Sequence, residues 1–263
     1  MGDIPAWFVS AYALLRTTQQ RSGWEDPNRP ETVRAMPMVL RIEKANPPQR
    51  IALLQAAGAS VALACLHPLA AEPEPGSADD GAYREALACW YGARIRKIAR
   101  RARGKKWRDV QAVAGATAED QGAQVRSFIP GPLDEVDPRI GKLQISGTDI
   151  EPAGQQPPLQ HNRPTIYIDA DLGMSVGKAA AQVGHAAMLL AAELPIERVW
   201  AWWESGCEVN VREVPREVFQ AIADTALVRV ADAGYTEVAP GSVTVCAVDA
   251  IDASDATDAA AAG

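Results

Sequence analysis

The chain has 263 residues, 48% of them hydrophobic and 22% charged, with a net charge of −7. That suits a soluble globular protein of one large or two modest domains. Four scattered cysteines (Cys65, Cys89, Cys207, Cys246) lack CxxC spacing, which argues against a disulfide framework and for reduced, mostly buried thiols in a cytoplasmic protein. Met1-Gly-Asp-Ile-Pro lacks the basic n-region of a signal peptide. The longest apolar run, Ile51 to Leu66, is interrupted by Gln55, Gly58 and Ser60 and is too short and mixed to span a bilayer. Charge is unevenly spread: from Pro164 onward there are 5 basic and 15 acidic residues, against 21 and 18 before it. The asymmetry points to two units with different partners.

In chain order, Asp3-Ile4-Pro5 is a helix start with a capping carboxylate, and Trp7, Phe8, Ala11, Leu14 and Leu15 recur at helical spacing. Gly23 to Pro30 is a loop, and an apolar stretch runs from Val33 to Ile42. Pro47-Pro48 opens a helix from Ile51 to about Leu66, and Glu72 to Asp80 is an acidic, proline-rich loop. Tyr83, Leu87, Tyr91, Ile98 and Ala102 then form the apolar seam of a further helix. Its end is basic, with nine Lys or Arg and no acid between Arg94 and Arg108, and Trp107 embedded. Such a run suits either phosphate contact or a solvated face that favours the helix dipole, and both readings stand. Lys142 to Ser146 has the look of a short strand. Residues 1–150 are therefore expected to form a mostly helical domain of unknown role, with RNA binding as a candidate, and 151–163, with three prolines and Pro164 just beyond, a linker.

Beyond the linker the pattern is regular. Strands are expected at Thr165–Ala170, Glu208–Val211, Leu227–Ala231 and Val243–Val248, with helices at Lys178–Glu193, Pro195–Ser205 and from Pro215. This alternation predicts an α/β three-layer sandwich with a four-stranded mixed sheet. Pro240-Gly241 fits a type II turn, and residues 251–263 read as a disordered acidic tail. In the first helix Lys178, Gln182 and His185 fall at i, i+4 and i+7, on one side, while Ala180, Val183, Ala187 and Leu190 line the other. In open α/β sheets sites gather beyond the carboxyl ends of strands, which would bring Asp232 and Thr236 toward Lys178.

Several chemistries are excluded. Gly173-Met-Ser-Val-Gly177-Lys178 is not a P-loop, because only three residues separate the glycines and Ala179 follows the lysine. Gly-x-Ser-x-Gly is absent, so a nucleophile elbow is not expected. His67, His161 and His185 have no ligand set at metal-binding spacing. Lys178, in a first helical turn beside free backbone N–H groups, would make an anion or oxyanion site.

Asp171-Leu-Gly-Met, Gly177-Lys178, Ala180-Ala-Gln182 and His185-Ala-Ala187, followed by Asp232-Ala-Gly, Thr236 and Ala239-Pro-Gly-Ser242-Val-Thr244, resemble the type 2 peptidyl-tRNA hydrolases over residues 164–250. Two ordered blocks at the right separation make the resemblance specific. It implies cleavage, without metal or cofactor, of the ester joining peptide to tRNA, with peptidyl-tRNA as partner and no membrane association. A non-catalytic RNA- or protein-binding descendant of the same fold is the alternative. Lys178, Asp232 and Thr236 match the family's active centre, and Gln182, His185 and Thr244 match further motif positions. Two departures remove positive charge: Val176 and Tyr235 stand where the family often has Lys and Arg. The basic segment is expected to supply the missing RNA contacts through Arg96, Lys97, Arg100, Arg101, Lys105 and Lys106. The sequence is silent on oligomeric state, and a homodimer is carried as an expectation.

Overall fold

A computed structural model describes residues 3–20, 25–26, 28–145, 147, 149–151, 156–232, 237–239 and 241–249. The tail beyond Asp249 lies outside them. The elements run α1 (Ala6–Arg16), β1 (Arg34–Arg41), α2 (Arg50–Cys65), α3 (Ala82–Tyr91), β2 (Arg96–Ala102), α4 (Gly104–Val110), β3 (Gly115–Asp120), β4 (Ala123–Phe128), β5 (Gly131–Pro132) and α5 (Pro138–Gly141). After the connecting stretch come β6 (Thr165–Asp169), α6 (Val176–Glu193), α7 (Ile196–Glu204), β7 (Asn210–Val214), α8 (Arg216–Ala223), β8 (Val228–Ala231) and β9 (Val243–Val248).

The C-terminal half has the expected four-stranded mixed sheet, in the order β7-β6-β9-β8. β6 pairs parallel with β7 and antiparallel with β9, and β9 pairs antiparallel with β8. Helix α6 covers one face, and α8 covers the other through Phe219 and Ala223 against Tyr167, Cys246 and Val248.

The N-terminal half is not helices alone. It carries its own sheet, β2-β1-β4-β3, with short β5 paired beside β1. The apolar stretch at Val33–Ile42 is strand β1. The basic segment is not a helix end: α3 stops at Tyr91, Arg96–Ala102 is an edge strand in parallel register with β1, and Gly104–Val110 is the short α4. Lys and Arg are good helix formers, so local propensity pointed to helix; pairing with β1 overrides it. Lysine and arginine also suit an edge, where charge discourages further strand addition. The strand foreseen at Lys142–Ser146 reduces to one bridge, Arg101 to Gln144. At α1 the N-cap is Pro5, with no side-chain cap, and the expected Asp3 cap is not made.

One hydrophobic cluster runs through both halves. At its centre α2 packs on α6. Helix α2 is apolar on every side and is buried on every side, as such a helix must be. Close approach rests on two glycines. A Cβ on Gly184 would sit 2.6 Å from Val61 Cγ2, and one on Gly58 3.0 Å from Val209 Cγ2. The first helix adds a second tie: Trp7 and Phe8 meet Trp200 and Trp203 edge to face, and the Tyr12 hydroxyl donates to the Leu194 carbonyl at 2.7 Å.

Candidate active site

Helix α6 begins where Ser175 caps it, its hydroxyl oxygen accepting from the Lys178 amide at 3.2 Å. The Ser175 hydroxyl and amide in turn donate to Glu237 Oε1 and Oε2, at 2.7 and 2.8 Å. Glu237 therefore places a carboxylate at the positive end of a helix whose first turn has none of its own. Behind this turn, buried Arg50 of α2 pairs with Glu213 at 2.7 Å and donates to the Met174 carbonyl at 2.9 Å. The N-terminal half thus braces the loop that launches α6.

One turn into the helix, Lys178 Nζ lies 2.7 Å from Asp232 Oδ1, with the two side chains only 11% and 10% exposed. Gln182 Nε2 approaches the same oxygen at 3.4 Å. The second carboxylate oxygen, Asp232 Oδ2, is buried without a hydrogen-bond partner among the described residues. Asp232 is held there because it closes the loop after β8. Its amide donates to the Ser242 carbonyl, and its carbonyl accepts from Gly241, at 2.9 and 2.8 Å. Gly241 has φ +80°, and Ser242 donates to the Ala239 carbonyl, as the expected type II turn requires.

These groups open into a cleft of about 450 Å³ between α6 and the edge strand β2. Lys178, Gln182, His185 and Asp232 line one side, and Arg94, Arg96 and Lys97 the other. Lys97 Nζ lies 4.9 Å over the Trp90 ring and 3.2 Å from Met188 Sδ on α6, so the strand is fastened to the helix beside the cleft. Arg96 is steered by an ion pair with buried Glu25. A buried ion pair whose second carboxylate oxygen has no partner among the described residues, with cations across the cleft, can orient water and stabilise a developing oxyanion.

The structure brings Lys178, Gln182, His185 and Asp232 together. Thr236 and Tyr235 lie outside the described residues. Thr244 is fully buried inside the sheet, its hydroxyl donating to the Val230 carbonyl at 3.3 Å. Of the expected RNA contacts, Arg96 and Lys97 line the cleft. Arg100 donates to the Leu143 carbonyl and Arg101 to the Gln144 side chain, while Lys105 pairs with Asp109 on the exposed face of α4. Lys106 is exposed on the same helix. Sequence reasoning missed Ser175, Glu237 and Arg50. Ser175 carries an N-cap signal just ahead of the helix, but the two charged residues carry no local signal. Val176 is fully buried within the shared cluster, so a charge there would be desolvated.

A model of the family described as peptidyl-tRNA hydrolase PTH2 matches residues 164–259. A curated protein named "Peptidyl-tRNA hydrolase" from Thermococcus onnurineus (strain NA1) is 39% identical over 95 residues, covering 32% of this chain and 79% of the relative. No solved structure matches the chain.

Proposed function

The chain belongs to the peptidyl-tRNA hydrolase PTH2 family, and on that premise we propose that it hydrolyses the ester between peptide and tRNA in the cytoplasm, releasing both. The observation that carries this reading is the buried Lys178–Asp232 pair, with Gln182 and His185, inside a cleft whose far wall is basic.

Asp232 orients the attacking water through Oδ2, which has no hydrogen-bond partner among the described residues, and takes up the proton as the water adds to the ester carbonyl. Lys178 stabilises the tetrahedral oxyanion. Collapse expels the ribose hydroxyl, which recovers the proton. Gln182 holds the carboxylate in place, His185 extends the polar wall, and Thr244 ties β9 to the end of β8 just ahead of Asp232, while Thr236 is assigned to the site on its motif position alone. Arg94, Arg96 and Lys97 meet the phosphates of the tRNA, supplying the positive charge that an acidic C-terminal half lacks.

The reading is tested with an N-blocked aminoacyl-tRNA. Wild type is expected to release the blocked amino acid, and Lys178→Ala and Asp232→Ala to lose that activity. Intact substrate after long incubation with wild type would overturn it.

A further inference from the structure

The two sheets have the same topology. In each, the first strand lies between a parallel second strand and an antiparallel fourth, and the third strand pairs antiparallel outside the fourth: β2-β1-β4-β3 and β7-β6-β9-β8. The helices follow suit. α2 and α6 each come after the first strand, and α3 and α7 each precede the second. α4 and α8 each pack on the far face, with Trp107 and Val110 against Val39 and Phe128 in one half and Phe219 and Ala223 against Tyr167 and Cys246 in the other. Details repeat as well. The Trp90 and Trp202 indoles each donate to the carbonyl six residues on, Arg96 and Glu208. Gln55 on α2 donates to Asp120 at the end of β3 at 2.6 Å, as Gln182 on α6 approaches Asp232 after β8.

The packing is reciprocal. Helix α6 lies against β2, and α2 against β7. Each strand-end carboxylate faces a cleft walled by the other half. Asp232 faces β2, and Asp120 faces the Gly206–Val209 entry to β7 across about 210 Å³. This is how two subunits of a symmetric dimer meet, each completing its partner's site.

We propose that the chain is two copies of one fold packed as an intramolecular pseudo-dimer, in which one site works and the N-terminal copy is retained as its substrate-binding wall. The N-terminal site has lost its machinery. Four residues before Gln55, where Lys178 precedes Gln182, stands buried Ile51. The long loop after Asp232 is replaced by the two-residue turn Gln121-Gly122, both with positive φ. Arg163, from the stretch joining the halves, fills the cation's place, 3.2 Å from Asp120 and 2.6 Å from Glu208. That network clasps the halves together. The opposite cleft stays open and gains cations from β2. The inference rests on the proposed hydrolysis only in calling the C-terminal site the working one.

The test uses the full chain. Sedimentation is expected to give a monomer, and titration with deacylated tRNA one tRNA per chain. Arg163→Gln and Asp120→Asn are expected to keep kcat within about twofold, while Lys97→Met raises KM about tenfold at unchanged kcat. Arg163→Gln reaches the clasp from the linker side, so the question survives if Asp120→Asn folds poorly. A homodimer, two tRNAs per chain, or a loss on Arg163→Gln as deep as on Asp232→Asn would overturn the pseudo-dimer. Absence of hydrolysis by wild type would strike the functional reading alone, because sedimentation decides the pseudo-dimer without turnover.

Discussion

Lys178 Nζ and Asp232 Oδ1 are 2.7 Å apart, and neither side chain is more than 11% exposed. A buried pair costs desolvation that its own attraction roughly repays, so removing one partner is worse than removing both. Asp232→Ala should lower stability by about 3–5 kcal/mol and turnover by about 10²–10³-fold. The double change Lys178→Met with Asp232→Leu should recover much of the stability and none of the turnover. Thermal denaturation and peptide release, measured on the same preparations, separate the two effects. Recovery of activity in the double variant would show that the pair is structural.

The basic residues of the N-terminal half divide by position. Arg94 and Lys97 line the cleft, whereas Lys105 and Lys106 lie on α4. Each phosphate contact contributes roughly 0.7–0.9 to the slope of log affinity on log salt. Arg94→Ala with Lys97→Met should therefore weaken tRNA binding and flatten the slope by about 1.5. Lys105→Ala with Lys106→Ala should leave the slope nearly unchanged. Binding titrations between low and moderate salt check both, and the reverse ranking would move the tRNA path onto α4.

The α2–α6 crossing should be sensitive to a single methyl. Gly184→Ala would bring a Cβ within 2.6 Å of Val61 Cγ2 in a fully packed interior. Overpacking of this kind costs about 1–3 kcal/mol. Val61→Ala should restore room, so the double variant should be more stable than the sum of the single effects predicts. Denaturant midpoints for the four chains test this coupling. Additive losses would mean that the helices do not meet there.

The C-terminal half was legible because its elements obey local rules. A β-branched run made β6, and prolines opened α7 and α8, so the boundaries of these elements fell within one or two residues, while β7 runs three residues past its expected end. The Lys178–Gln182–His185 side followed from helical spacing alone. The N-terminal sheet was hidden for a physical reason. β2 is seven residues of mainly Lys, Arg and Ala, a composition that favours helix and becomes a strand only when β1 offers its edge. The cleft wall was therefore visible as charge but not as shape. Arg50 and Glu237 act over separations of more than 60 residues, which no local pattern encodes. The repeat was invisible for the same reason, since it is kept in strand order and packing while few side chains match.

The thiols give a final, pH-dependent expectation. All four cysteines are free, and three are fully buried. Burial raises the Cys65 thiol from 9.0 to about 11 and the Cys246 thiol to about 12, and raises Cys207 further. Half-buried Cys89 should thus be the thiol that reacts with a disulfide reagent at pH 8, the other three reacting only after unfolding. The same shifts set a stability slope. Between pH 9 and about 11 the unfolded chain has released the Cys65 proton and the folded chain has not, so the unfolded state binds fewer protons and stability falls as pH rises. The contribution is complete below pH 9 and lost as pH passes through the folded value. Cys65→Ala should start from lower stability, because it leaves a small cavity, yet show a shallower decline above pH 9. Denaturant midpoints at pH 8, 9 and 10 compare the two slopes. An equal decline in both chains would place the alkaline loss elsewhere, with the buried tyrosines Tyr83 and Tyr91, which burial also pushes up, as the next groups to vary.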